Sequence, residues 1–125
     1  MVTLKNVLLV NGLSSGATGV LLVVMGQFAA GLFGVSQPYA FWGTGIFLIA
    51  FAILVCMEGF QSTPRPSRVR LISTLDILWV IGSVVIVLFQ MFNLTLLGYI
   101  LIAGVAAWVA LMAFLQISGL RKLTM

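Results

Sequence analysis

The chain has 125 residues, 62% hydrophobic and only 6% charged, with a formal net charge of +4 and a mean hydropathy of +1.27. Soluble domains carry about 25% charged residues, so this composition excludes a soluble globular domain, a disordered tail and a disulfide scaffold. What remains is one integral membrane domain over residues 1–125; with no histidine, one cysteine and two acids, most catalytic and metal-binding constellations are removed as well.

The prolines Pro38, Pro64 and Pro66 divide the chain, and none interrupts a long apolar run. A membrane-crossing helix needs about 20 mostly apolar residues. Four segments meet that need, 7–32, 40–60, 69–91 and 96–117, joined by short connections. Connections this short place consecutive helices antiparallel and adjacent. The runs are continuous, without the alternation of a membrane β-barrel. The expected fold is therefore all-α, an antiparallel four-helix transmembrane bundle.

Lys5 precedes the first segment, Arg65, Arg68 and Arg70 mark the second-to-third connection, and Arg121 and Lys122 follow the fourth. All the basic residues thus fall on the side shared by both termini and the middle loop. The positive-inside rule makes that side cytoplasmic, with a bacterial inner membrane as the expected location. Topology and anionic inner-leaflet lipid account for the basic charge; nucleic acid is not an expected partner. Tyr39, Phe41, Trp42, Phe92 and Tyr99 fit an aromatic belt at the opposite interface. Trp79 and Trp108 lie deeper and are expected to fill space between helices. Lys5, the apolar run and Phe-Ala-Ala-Gly at 28–31 resemble a signal peptide, but the segment is long enough to span and is read as an uncleaved first helix.

The first helix carries Gly12 and Gly16 in GxxxG spacing, with Ser15 and Gly19 repeating the small-xxx-small interval. Small residues four apart let backbones approach closely. Such a face serves either a homo-oligomer or a helix of the same chain. Ala103 and Ala107 offer a second surface of this kind. Asn11, Ser14, Ser15 and Thr18 form one polar stripe. Serine and threonine can bond back to the preceding turn, whereas Asn11 should face protein or water.

Of the two acids, Glu58 ends the second helix within reach of water and of Arg65. Asp76 lies six residues past Arg70, about 9 Å into the membrane at 1.5 Å per residue. An aspartate at that depth must be paired, protonated or hydrated, and so faces the bundle interior. Asn11, Ser14 and Gln116 reach similar depth on the first and fourth helices, and Ser73 and Ser83 share the face of Asp76. The expected site is a polar cluster of Asp76, Asn11, Ser14, Ser73 and Gln116, lining a small polar cavity open toward the cytoplasm. Cys56 is alone, which excludes paired-thiol chemistry. No phosphate loop or HExxH motif occurs. No catalytic, cofactor-binding or metal site is expected. Asn93-Leu94-Thr95 matches a glycosylation sequon, and Gln27 and Gln90 give a faint echo between the two halves.

The string Gly16-Ala17-Thr18-Gly19-Val20-Leu21-Leu22, followed by Leu32-Phe33-Gly34-Val35 and Pro38, resembles the first hairpin of small bacterial four-helix membrane proteins of the DoxX-like kind. The resemblance covers about the first third of the chain. It implies a four-helix membrane fold and carries no active site onto any position here. Small multidrug transporters would need a glutamate in the first helix, and fluoride channels a Gly-rich Arg motif and paired pore phenylalanines; the chain has neither pattern. The function expected from the residues is a non-enzymatic accessory or structural component acting through helix contacts, with itself or in a larger membrane complex. The competing expectation is a small oligomeric channel or transporter with Asp76 as its ion or proton site.

Overall fold

A computed structural model of the chain describes residues 4–61 and 65–124. Pro64 and the side chain of Lys122 lie outside the described residues. Five α-helices follow in order: α1 (Leu4–Val24), α2 (Gly26–Phe33), α3 (Tyr39–Gly59), α4 (Pro66–Leu88) and α5 (Leu96–Thr124), with a 3₁₀ turn at Met91–Asn93 before α5. The protein is an all-α bundle. Four of the helices, Leu4–Val24, Tyr39–Gly59, Pro66–Leu88 and the Leu96–Arg121 part of α5, are long and apolar enough to cross a membrane. The shortest have 21 residues, or about 31 Å at 1.5 Å per residue, which matches a hydrocarbon core of about 30 Å. This is a multi-pass membrane protein.

Helix ends follow local chemistry, and several differ from the expected bounds. The segment 7–32 is not one helix. It breaks at Met25, whose φ of −114° and ψ of 30° leave the helical region. No proline causes the break. The hydrogen bonds of Met25 to Leu21 and of Ala29 to Met25 are kept through the break, and the indole of Trp42 occupies the space beside Gly26 where a side chain would project, so only glycine fits there. α2 ends at Gly34 in the left-handed region, with the Val35 N–H donating to the Ala30 carbonyl at 2.8 Å, a Schellman ending. α4 starts three residues before the expected 69, because Pro66 sits in its first turn, where a missing N–H costs nothing. It stops before 91, since Gln90 turns left-handed at φ 48°. α5 runs past 117 to Thr124; Gly119 does not end it, because the glycine is needed where Leu4 of α1 packs.

The connection before α5 clamps one end of the bundle. The Thr95 hydroxyl donates to the Leu32 carbonyl at 2.6 Å and accepts from the Gly98 N–H at 3.0 Å. Its own N–H donates to the Phe33 carbonyl at 3.0 Å. One residue thus caps α5 and satisfies two carbonyls at the end of α2. Gln90, Phe92 and Asn93 all have positive φ, an uncommon conformation for side-chain-bearing residues. Tyr99 holds that turn in place: its hydroxyl donates to the Met91 carbonyl at 2.8 Å and accepts from the Leu94 N–H at 3.1 Å. Thr95→Val should therefore lower thermal stability by about 1 kcal/mol, the usual cost of a lost N-cap, while Thr44→Val on α3 leaves it unchanged. Thermal unfolding in detergent, followed by circular dichroism, checks this.

α1 packs on α3 along its glycines. Gly12 faces Cys56 and the Ala52 carbonyl, Gly16 faces the Ala52 Cβ, and Gly19 faces the Gly45 carbonyl and Ile49. Contacts thus run in opposite order along the two helices. α5 closes on the other side of α1, with Gly119 against Leu4 and Trp108 against Ser14, and α4 packs on α5. Ala103 and Ala107 lie in the groove between α4 and α5, with Val80 and Ser83 opposite. The expectation that all consecutive spans are adjacent fails at one place: the α3 and α4 backbones stay mostly apart. Glu58 joins that connection, because the Arg65 guanidinium donates to both its carboxylate oxygens, at 3.0 and 3.2 Å from Nε. Glu58 is buried beneath this pair, not open to water as its terminal position suggested.

Candidate functional site

Three helices deliver polar side chains to one level of the bundle. Asn11 comes from α1, Ser73 and Asp76 from α4, and Gln116 from α5; all four are buried, with Gln116 at 0% exposure. Each sits in a mainly apolar helical run, so the bundle must bring these polar groups together or leave them unsatisfied.

The geometry is closed. The Asn11 Nδ2 group donates to Asp76 Oδ2 at 3.1 Å and to Gln116 Oε1 at 2.7 Å. Gln116 Nε2 donates to the same Asp76 oxygen at 3.0 Å and to Ser73 Oγ at 3.1 Å. Ser15 donates to Asn11 Oδ1 at 3.3 Å. Both protons of each amide are used, and no buried side-chain nitrogen or oxygen among the described residues lacks a partner. Both partners of the Asp76 carboxyl are neutral amides, and both converge on Oδ2.

Ser14 does not join Asp76. Its hydroxyl reaches the Val10 carbonyl at 2.8 Å and the Asn11 carbonyl at 3.1 Å, acceptors that its own helix supplies at no conformational cost. It then accepts from the Trp108 Nε1–H at 3.1 Å, tying the indole of α5 to α1. Ser83 is buried but bonds only to the Trp79 carbonyl of its own helix, at 2.8 Å. Thr18 bonds back to Ser14 in the same way, at 2.8 Å. Gly12, Gly16 and Gly19 lie away from the network, against α3. Since α3 covers that face, it is not free for a second copy of the chain.

The cavity beside the network differs from the expected one. Toward the helix ends that carry Lys5, Arg68 and Arg121, the network is closed by an apolar cluster in which Leu8, Val55, Val69 and Ile72 are fully buried and Leu120 nearly so. The space lies on the other side of Asp76, deeper in the bundle. It is a cleft of about 510 Å³ between α1, α3, α4 and α5. Its walls are mainly apolar and aromatic, with Phe47, Phe51, Trp79 and Trp108 prominent, and Asp76 is the only acidic or basic side chain among the described residues that line it. Trp79 and Trp108 therefore border space instead of filling it. Phe47, Ile100 and Trp108 line the cleft and are also exposed, so it opens sideways on the bilayer-facing surface.

Sequence reasoning had no signal for this cleft, because it exists where two helices fail to meet. Nor did it see the Thr95 clamp, although a threonine opening the apolar run of α5 is an N-cap signature. Among the described residues no group of three or more histidine, cysteine, aspartate or glutamate side chains could hold a metal ion. The chain matches no protein-family model, no curated protein and no solved structure.

Proposed function

We propose that this chain is a non-enzymatic accessory protein of the membrane whose working part is the cleft: it holds a small, membrane-dissolved molecule next to Asp76. One observation carries this reading. Asn11 and Gln116 fix a buried carboxyl at the edge of an apolar cleft of about 510 Å³, within the 300–1,000 Å³ usual for small-molecule sites. A few fixed polar atoms among apolar and aromatic walls are what such sites consist of. The channel reading has the same carboxyl in its favour, but an ion path must cross the Leu8–Val55–Val69–Ile72–Leu120 cluster, which offers no polar atom from its side chains. The likeness of the first hairpin to DoxX-like proteins belongs to the same proposal and bears on fold alone.

The test uses the intrinsic tryptophans in nanodiscs of zwitterionic lipid. Trp42→Phe leaves Trp79 and Trp108, both at the cleft, as reporters. Bromohexanol, whose bromine quenches indole on contact, should quench them saturably. Gly104 lines the cleft and has open space beside its Cα, so Gly104→Phe should place a ring there and remove the saturable part. Quenching that is linear in both proteins would reject the cleft as a binding site.

The proposal extends to orientation, with both termini and the Arg65–Arg70 segment cytoplasmic, supported by the placement of the basic residues. In a Cys56→Ala background, a membrane-impermeant maleimide should label Ser67→Cys in inverted inner-membrane vesicles and not in intact spheroplasts. Labelling from the spheroplast side reverses the map.

A further inference from the structure

We infer that the cleft selects a lipophilic organic cation, with its ammonium group on Asp76 and its apolar part against the tryptophans. The inference rests on the reading of the cleft as a binding site and adds the chemical class of the occupant.

Three observations converge on it. The first concerns the carboxyl itself. Asp76 is 3% exposed, yet no basic side chain is bonded to it and none lines the cleft among the described residues. The other buried acid, Glu58, does have its guanidinium, from Arg65. A buried acid without a counter-charge is costly in hydrocarbon. Two amide N–H groups only partly offset that cost, whereas a positive charge in the cleft supplies what they do not.

The second concerns which oxygen is free. Both amide bonds fall on Oδ2 and none on Oδ1. Since no fully enclosed side-chain oxygen among the described residues lacks a partner, Oδ1 keeps some open surface, and the cleft is the space that Asp76 borders. An ammonium N–H can take that position without displacing any bond of the network. A neutral hydroxyl can bond there too, but it brings no charge, and charge-assisted hydrogen bonds are roughly twice as strong as neutral ones.

The third concerns the walls. Trp79 and Trp108 line the cleft together with Phe47 and Phe51, and the Trp108 indole is held by its bond to Ser14. Indole faces attract cations more strongly than other aromatic rings, and more so where water is excluded. Ser14, Ser15 and Thr18 also line the cleft, but each of their hydroxyls donates within α1. The other walls are aliphatic, including Leu48, Ile100 and Val105, and accept a hydrocarbon tail. Because the cleft opens toward the bilayer, a molecule already dissolved in the membrane reaches it without crossing the apolar cluster at the basic end. A lipid acyl chain is the competing occupant; it would use the walls and ignore the carboxyl.

The experiment compares bromohexylammonium with bromohexanol, which differ at the head and share the tail, in the same Trp42→Phe nanodiscs of zwitterionic lipid. The cation should quench Trp79 and Trp108 saturably at a concentration at least tenfold lower than the alcohol. Asp76→Asn keeps an acceptor for the two amide donors and removes the charge, so it should bring the cation down to the level of the alcohol while binding of the alcohol persists. Equal affinity of the two probes for the parent protein overturns the inference and leaves the cleft as a site for apolar molecules, a lipid chain included. A cation preference that survives in Asp76→Asn overturns it as well, because the selectivity then arises elsewhere. Failure of both probes to saturate removes the binding reading itself.

Discussion

Gly19→Leu should prevent the bundle from assembling, while Gly43→Leu, on the facing helix, leaves it intact. A Cβ at Gly19 would lie 2.7 Å from the Gly45 carbonyl oxygen and 2.9 Å from an Ile49 side-chain carbon. The first of these is backbone and has nowhere to go unless α1 and α3 separate. Overpacking a close-packed core costs about 1–3 kcal/mol even where side chains can shift, so a leucine at Gly19 should cost at least about 3 kcal/mol. Gly12→Leu should come next, because the nearest obstacle is the Cys56 side chain and the backbone of α3 is close behind it. Gly16→Ala meets only the Ala52 Cβ at 3.3 Å and should be mild. Gly43 has nothing within 4 Å, and a substitution there changes only the lipid-facing surface. Monodispersity on size exclusion and thermal unfolding in detergent rank the four variants. If Gly19→Leu runs and melts like the parent, the close α1–α3 crossing is wrong.

This ordering also shows what the sequence did and did not make legible. Small-xxx-small spacing identifies a close-approach face, since backbone contact needs missing side chains whatever the partner. It does not identify the partner, and the sequence left a second copy of the chain and a helix of the same chain both open. The four spans were readable from apolar run length alone. The break at Met25 was not, because neither a proline nor any other local signal announces it. The polar residues were readable for the opposite reason. Inside a membrane a buried carboxyl or amide has few places to go, so Asp76, Asn11 and Gln116 at matching depth define one another. Ser14 escaped because serine has a local alternative in the preceding turn. The cleft escaped because hydropathy reports which residues leave water and says nothing about gaps between the helices they form.

Gln116→Leu should be the most damaging single change in the polar network, and its damage should depend on Asp76. The substitution removes the donor to Asp76 Oδ2, the donor to Ser73 and the acceptor for Asn11 in one step. At 0% exposure no water replaces them, and the carboxyl keeps one amide partner in a low-dielectric interior. Orphaning a buried polar group costs about 1–3 kcal/mol, against an average of about 0.6 kcal/mol for an interhelical hydrogen bond in a membrane. Gln116→Leu should therefore cost about 2 kcal/mol, well above the value of any one bond it deletes. In the Asp76→Leu background the carboxyl is gone and one Gln116 N–H already lacks its acceptor, so the same Gln116→Leu change should cost about 1 kcal/mol less than in the parent, even though Asn11 then loses its remaining acceptor. Asp76→Asn, which keeps an acceptor for both amides, should stay close to the parent. A double-mutant cycle on unfolding in mixed micelles measures the difference as a coupling energy. Coupling near zero would mean that Asn11 alone suffices for the carboxyl. Coupling of about 1 kcal/mol or more places Gln116 as the residue that makes a buried Asp76 tolerable, which ties α5 to α4 at the edge of the cleft and fixes the position of the one carboxyl there.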